Sequence, residues 1–158
     1  MTYNFYTDGA ASMFLTDAGY ERGPGAWAWC YVEDELLQNE NYGNKQATTN
    51  QEMELYAIYQ ALLFIGELKP SEVNLYSDSQ YSISIYTAWA KNWEKNGWKR
   101  KGNKEIVNLE VIKKTWSLLA ELQRQGIKVN FKKVAGHSTN KWNNYVDKLA
   151  VNAKQELL

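Results

Sequence analysis

The segment Tyr3-Asn4-Phe5-Tyr6-Thr7-Asp8-Gly9 constrains this chain more than any other. Aromatic and β-branched residues in a row suit a largely buried strand. The strand is expected to stop where Asp8 meets Gly9. A carboxylate at the tip of a central strand is costly to hold beside a core unless something compensates its charge. Val73-Asn74-Leu75-Tyr76-Ser77-Asp78 repeats the arrangement. If the two strands are parallel neighbours, Asp8 and Asp78 share the carboxyl edge of the sheet, where open α/β sheets bind ligands. An aspartate before a glycine is also an ordinary turn signal, so the rest of the chain has to decide.

After Asp8-Gly9 the small and turn-forming residues up to Gly23-Pro24-Gly25 read as a loop. Ala26 to Val32 and Leu36 to Gly43 read as two further strands joined at Glu33-Asp34-Glu35, which with the first makes an antiparallel meander. Thr49-Asn50-Gln51-Glu52 is a capping-box pattern. Leu55, Ile58, Leu62 and Ile65 follow at helical spacing up to Lys69-Pro70, where proline disfavours helix. A helix from Ser79 to about Trp89 follows the Asp78 strand. Leu109, Ile112, Trp116 and Leu119 mark another helix. Ile127, Val129 and Phe131 alternate with polar residues as a half-buried strand, and Val146, Leu149, Ala150 and Ala153 mark a last helix. The order is that of a mixed α/β sheet of about five strands with helices on its faces.

Two more acids border the expected core. Glu54 lies in the second turn of its helix, among Asn50, Ala57, Ile58 and Ala61 at helical spacing; Asp147 sits beside Val146 and Ala150. Each alone reads equally well as a solvated acid. If all four meet, like charges about 4 Å apart repel by roughly 4 kcal/mol at an effective dielectric near 20. Either some of them protonate or a divalent cation sits among them. An all-oxygen set suits Mg²⁺ or Mn²⁺. Zinc is disfavoured, because one histidine and one cysteine cannot form its usual site. Two hard cations about 3.5–4 Å apart form a clamp for phosphoryl displacement.

With 158 residues, 44% hydrophobic and 23% charged, the chain has the makings of one globular domain over 1–158. No apolar run approaches the roughly 20 residues that span a bilayer, and no leader peptide is visible. The lone Cys30, in an aromatic strand pattern, reads as packing and fits a reducing cytoplasm. The net charge of zero hides a local excess. Lys91, Lys95, Lys99, Arg100, Lys101 and Lys104 stand against the single acid Glu94, interleaved with Trp93 and Trp98 and entered at Trp89.

Taken in order, five motifs resemble type 1 ribonuclease H, the bacterial-type RNA–DNA hybrid endonuclease. They are Tyr6-Thr7-Asp8-Gly9-Ala10, Asn50-Gln51-Glu52-Met53-Glu54-Leu55, Ser77-Asp78-Ser79-Gln80-Tyr81, Val134-Ala135-Gly136-His137 and Asp147-Lys148-Leu149-Ala150. The resemblance implies a ribonuclease H-like fold: a mixed five-stranded sheet, three strands antiparallel and two parallel, with helices on both faces. It implies metal-dependent hydrolysis of the RNA strand of RNA–DNA hybrids, with two Mg²⁺ ions (Mn²⁺ as a substitute), leaving 5′-phosphate and 3′-hydroxyl ends. Asp8 would bridge both ions, Glu54 and Asp78 would complete one shell and Asp147 the other. His137 would assist proton transfer or product release. Substrate contacts would come from Gly9 and from Asn50 and Gln80 in the minor groove, where 2′-hydroxyls distinguish RNA. Thr49 and Asn108 would hold a phosphate of the DNA strand. Residues 89–104 match the family's basic protrusion, with Trp89, Trp93, Lys99, Arg100 and Lys101 on the DNA strand; Trp98 and Trp116 read as packing.

The loop at Ala11 to Arg22 is longer than the family's compact turn and lacks an asparagine before Pro24. Lys141-Trp142-Asn143-Asn144 is also atypical. The expectation is a chain without a separate hybrid-binding domain ahead of residue 1, and hence of limited processivity. A monomer without an obligate protein partner is the expectation. Two alternatives are a hybrid-binding module without turnover, which the full set of carboxylates with His137 argues against, and a DNA nuclease of the same fold, which Asn50, Gln80 and the tryptophan-rich basic stretch argue against.

Overall fold

The computed structural model describes residues 2–135 and 139–157, so His137 lies outside the described residues. Three strands open the chain: β1 (Tyr3–Thr16), β2 (Gly19–Glu33) and β3 (Leu36–Thr48). Helix α1 (Asn50–Leu68), β4 (Glu72–Ser77), α2 (Gln80–Ser84), a π-helical turn at Ile85–Trp89, α3 (Ala90–Lys95), α4 (Leu109–Arg124), β5 (Lys128–Lys133) and α5 (Lys141–Gln155) follow. The sheet order is β3-β2-β1-β4-β5. The β1–β2 and β2–β3 pairs are antiparallel, and β1–β4 and β4–β5 are parallel. No described helix is long and apolar enough to cross a membrane.

Both faces of the central strands are covered, which is why β1 and β2 read as nearly unbroken apolar runs. Phe5, Trp29, Tyr31, Val73 and Leu75 pack on one face against Ile58, Leu62 and Ile65 of α1 and Ile112 and Leu122 of α4. Tyr6, Ala28, Cys30 and Val32 pack on the other against Val146 and Ala150 of α5. Phe5 stacks on Tyr31 at 4.8 Å between ring centroids, and Tyr6 on Tyr76 at 4.6 Å. Complete burial of side chains such as Phe5, Leu62 and Leu75 stabilises the fold by about 1.5–3 kcal/mol each. Cys30 is wholly buried, and burial pushes its thiol up to about 12, so it packs and does not react.

Three elements depart from the sequence reading. Strand β1 does not stop at Gly9. It runs on to Thr16 as a hairpin with β2, so Ala11 to Arg22 is an extended ribbon with an irregular register between Ala11 and Met13, not a loop. Its tip exposes Met13, Phe14, Leu15 and Tyr20. Strand β3 likewise continues past Gly43 to Thr48, paired with β2. The helix expected over 79–89 is broken into α2 and the π-helical turn, which runs on into α3. There the Thr87 hydroxyl donates to the Ile83 carbonyl at 2.7 Å and competes for that acceptor.

Candidate active site

The register places the first two carboxylates. The parallel β1–β4 ladder ends at the pair Thr7↔Ser77, so Asp8 and Asp78 are each one residue beyond it, side by side at the carboxyl edge of the central strands. Gly9 places the third. A Cβ built at Gly9 would lie 2.3 Å from the Glu54 nitrogen and 2.3 Å from the Met53 carbonyl carbon, so only glycine lets α1 cross β1 this closely. That crossing brings Glu54 beside Asp8. One carboxylate oxygen from each of Asp8, Glu54 and Asp78 lies within 4.8 Å of the others. Asp147 comes from the second turn of α5, on the opposite face of the sheet; its side chain is exposed and reaches hydrogen-bonding contact with Asp8.

The electrostatics follow from burial. Asp8 is 3% exposed, and burial pushes its carboxyl from 3.8 up to about 8, with Asp147 and Asp78 adding to the shift. Glu54 is pushed well above the usual carboxylate range, first by burial and then by Asp8 and Asp78. The Gly9 amide offsets part of this: it donates to Asp8 Oδ1 at 2.9 Å and also lies against the Glu54 carboxyl. Glu54 Oε2 is buried with no hydrogen-bond partner. Both of the outcomes that the sequence left open therefore apply to one cluster. Burial and like charge favour the protonated forms of these carboxyls; a divalent cation would favour their ionised forms and engage the orphaned oxygen. The donor set, all carboxylate, fits a hard ion.

The other expected residues are distributed as follows. Thr49 caps α1, its hydroxyl accepting from the Glu52 amide at 3.1 Å. The capping box does not close in the usual way, because the Glu52 carboxylate turns instead to the Thr48 hydroxyl and to Lys45 at 3.0 Å. The Ala11 amide donates to Asn50 Oδ1 at 2.6 Å, tying the base of the β1–β2 ribbon to the start of α1. Gln80 is exposed at the start of α2 and bonds Ser84 at 2.9 Å. Asn108, with φ +63 at the start of α4, turns a buried Nδ2 toward the Tyr81 hydroxyl without a well-formed hydrogen bond.

Trp89 is exposed at the end of the π-helical turn and packs on Trp93 at 5.8 Å between ring centroids. Trp93, Trp98 and Trp116 are half-buried against the main core. Trp93 therefore has a packing role in addition to any contact it makes. Lys99, Arg100 and Lys101 are exposed in a turn closed by the Arg100↔Lys104 bridge. The Asn50–Ala11 bond and the ribbon beside the site escaped the sequence reading. The one sequence signal for them is the apolar run Met13-Phe14-Leu15.

A sequence model of the family described as RNase H matches residues 1–155. The chain belongs to the ribonuclease H family. It is 39% identical to a Ribonuclease H of Syntrophomonas wolfei, over 96% of this chain and 95% of that protein. It is 40% identical to a Ribonuclease H of Chlorobium phaeobacteroides, over 94% and 92%. Among solved structures it superposes on LC9-RNase H1, described as a type 1 RNase H with the type 2 active-site motif, with TM-score 0.75 and 25% identity over 100% of this chain and 75% of that one. The solution structure of the PFV RNase H domain shares the fold at TM-score 0.77, 18% identity and 99% and 97% coverage. The type 1 resemblance and the mixed sheet with helices on both faces are thus borne out. Membership makes the chain a ribonuclease H enzyme of a divalent-metal-dependent family that acts on RNA–DNA hybrids.

Proposed function

We propose that this chain is an endonuclease that hydrolyses the RNA strand of RNA–DNA hybrids with two divalent cations, Mg²⁺ in the first instance, leaving 5′-phosphate and 3′-hydroxyl ends. The observation that carries this reading is the convergence of Asp8, Glu54 and Asp78 oxygens within 4.8 Å, with Asp8 and Glu54 held above the usual carboxylate range. A cluster that destabilises its own ionised form is poised to take up positive charge. Asp8, Glu54 and Asp78 would hold one cation, and Asp8 with Asp147 the second. When bound, such a pair supplies an acidified water as nucleophile and neutralises charge on the phosphate and the departing oxygen.

The chain's own residues do the rest. Buried Asp8 anchors the cluster, and the Gly9 amide orients its carboxylate. Asn50 and Gln80 would lie in the minor groove, where 2′-hydroxyls mark the RNA strand. The Asn108 Nδ2, held only loosely beside Tyr81, supports a phosphate contact shared with Thr49. Trp89, with Trp93 behind it, and Lys99, Arg100 and Lys101 would meet the DNA strand through stacking and phosphate neutralisation. His137 would move a proton to or from the leaving group. We assign one catalytic domain over 1–158, acting as a monomer in the cytoplasm. The same fold occurs in about a fifth of the foamy viral protease-reverse transcriptase, a protein solved in complex with an RNA/DNA hybrid.

Incubation with labelled hybrid, duplex DNA and duplex RNA, with Mg²⁺ or EDTA, tests the reading. Cleavage of only the RNA strand of the hybrid, with Mg²⁺ present, is expected. Hybrid binding without turnover, or cleavage of duplex DNA, would replace it with one of the alternatives.

A further inference from the structure

Three of the four carboxylates are fixed by the sheet and by α1. The β1–β4 register sets Asp8 and Asp78, and the contact over Gly9 sets Glu54. The fourth is held differently. Asp147 is exposed, stands outside the 4.8 Å group, and is carried by α5 on the other face of the sheet. Its distance from Asp8 therefore depends on where α5 sits along that face.

The apolar contact under α5 does not settle that position alone. Tyr6, Ala28, Cys30 and Val32 meet Val146 and Ala150, and apart from Tyr6 these side chains are small. Apolar burial is non-directional, so it presses α5 onto the sheet while leaving its advance loosely specified. Hydrogen bonds are directional: Tyr6 of β1 reaches the Asn140 side chain at the N-cap of α5, and the β2–β3 hairpin supplies two more to the first turns of the helix. Trp142 Nε1 donates to Glu35 Oε2 at 3.3 Å, and the Tyr145 hydroxyl donates to Glu40 Oε1. Trp142 is buried and meets Tyr145 edge-on at 5.4 Å, so the two donors form one unit. At the far end of the helix, Asn44 Nδ2 donates to the Ala153 carbonyl at 3.0 Å. The hairpin turn carries Asp34 at φ +50 and Glu35 at φ +62. Side-chain-bearing residues pay for that left-handed backbone, yet it is this turn that brings Glu35 to Trp142.

We propose that Glu35 and Glu40, through Trp142 and Tyr145, are positioning residues that set how far Asp147 advances toward Asp8, and so set the affinity of the cation that Asp147 helps to hold. The proposal rests on the carboxylates being cation ligands, as argued above. It makes the β2–β3 hairpin, which touches neither substrate nor cation, a determinant of the metal requirement.

Tyr145→Phe removes one oxygen and keeps the ring packing. Glu40→Gln retains an acceptor and serves as the conservative control. Glu35→Gly removes the other bond while relieving the left-handed turn. Three quantities separate positioning from mere stabilisation: Mn²⁺ binding to the substrate-free protein by calorimetry, the Mg²⁺ concentration for half-maximal hybrid cleavage, and the melting temperature in EDTA. Tyr145→Phe and Glu35→Gly are expected to weaken the looser Mn²⁺ site and to raise the half-maximal Mg²⁺ concentration about three- to tenfold, the scale for partners that orient metal ligands. The hybrid KM at saturating Mg²⁺ should stay within about twofold, since no substrate contact is touched. Glu40→Gln should resemble the unaltered protein, and Glu35→Gly should not melt lower. Variants that melt lower yet keep the unaltered Mg²⁺ requirement and Mn²⁺ affinity would overturn the proposal and leave these bonds as simple glue. Failure of the unaltered protein to cleave the hybrid would instead overturn the parent reading, and the Mn²⁺ titration would still decide this one.

Discussion

Replacing Asp8 with asparagine should abolish cleavage and make the metal-free protein more stable. Burial holds the Asp8 carboxyl at about 8 in the fold against 3.8 for an ordinary aspartate. A folded state that binds the proton more tightly than the unfolded chain loses stability as pH rises between those values. At pH 7 the window spans about three pH units, or roughly 4 kcal/mol at 1.36 kcal/mol per unit. Relaxation and water entry reduce such penalties, so about 2–4 kcal/mol is the working range. Asparagine cannot ionise, and its side-chain oxygen can still accept from the Glu54 carboxyl. For a chain of this size each kcal/mol moves the melting temperature by about 2–4 °C; Asp8→Asn should therefore melt roughly 4–16 °C higher in EDTA at pH 7. The gain should shrink toward zero by about pH 4, where the native carboxyl is protonated in both states. Scanning calorimetry in EDTA across pH 4–8 is the assay. An Asp8→Asn protein that melts lower at pH 7, or whose advantage over the native chain does not change with pH, would refute the claim that burial destabilises this carboxylate.

Gly9→Ala should cost about 1–3 kcal/mol, as overpacking does, and lower kcat by more than about tenfold by pushing Glu54 off Asp8; thermal melts and single-turnover cleavage check it. Asn108→Asp, which tolerates the positive φ, should raise the hybrid KM about tenfold while moving the melting temperature little, because it turns a loosely held donor into a repelling acceptor. Replacing Lys99, Arg100 and Lys101 together by glutamine should flatten the salt dependence of hybrid binding by about 2–3 in log–log slope and leave chemistry intact; an unchanged slope would remove these residues from the interface.

Much of the fold was legible because chemistry and register agree. Two apolar segments each leading to an aspartate would share an edge if parallel neighbours, and the β1–β4 ladder is parallel and ends one residue before each. The ribbon from Ala11 to Thr16 was not legible. Glycine at position 9 reads as a terminator, yet it is glycine because α1 lies against it, a contact 44 residues or more away along the chain. The π-helical turn at Ile85–Trp89 was hidden for a related reason. It widens a helix whose apolar spacing looks regular, and only the Thr87 bond to Ile83 betrays it. Trp93 shows the limit of reading tryptophans among lysines as a binding face: its ring packs against both Trp89 and the core. The carboxylate cluster itself was legible as a set of residues. The split between a rigid trio and an Asp147 delivered from the opposite face depends on α5 packing that no local pattern encodes.

Crystals soaked in Mn²⁺ and measured at its anomalous edge test the central claim most directly. The account predicts anomalous density bonded to oxygens of Asp8, Glu54 and Asp78, at about the 2.0–2.2 Å expected for a small hard cation. Manganese bound elsewhere, with Glu54 Oε2 still unpartnered at a soak concentration that supports hybrid cleavage, would contradict it.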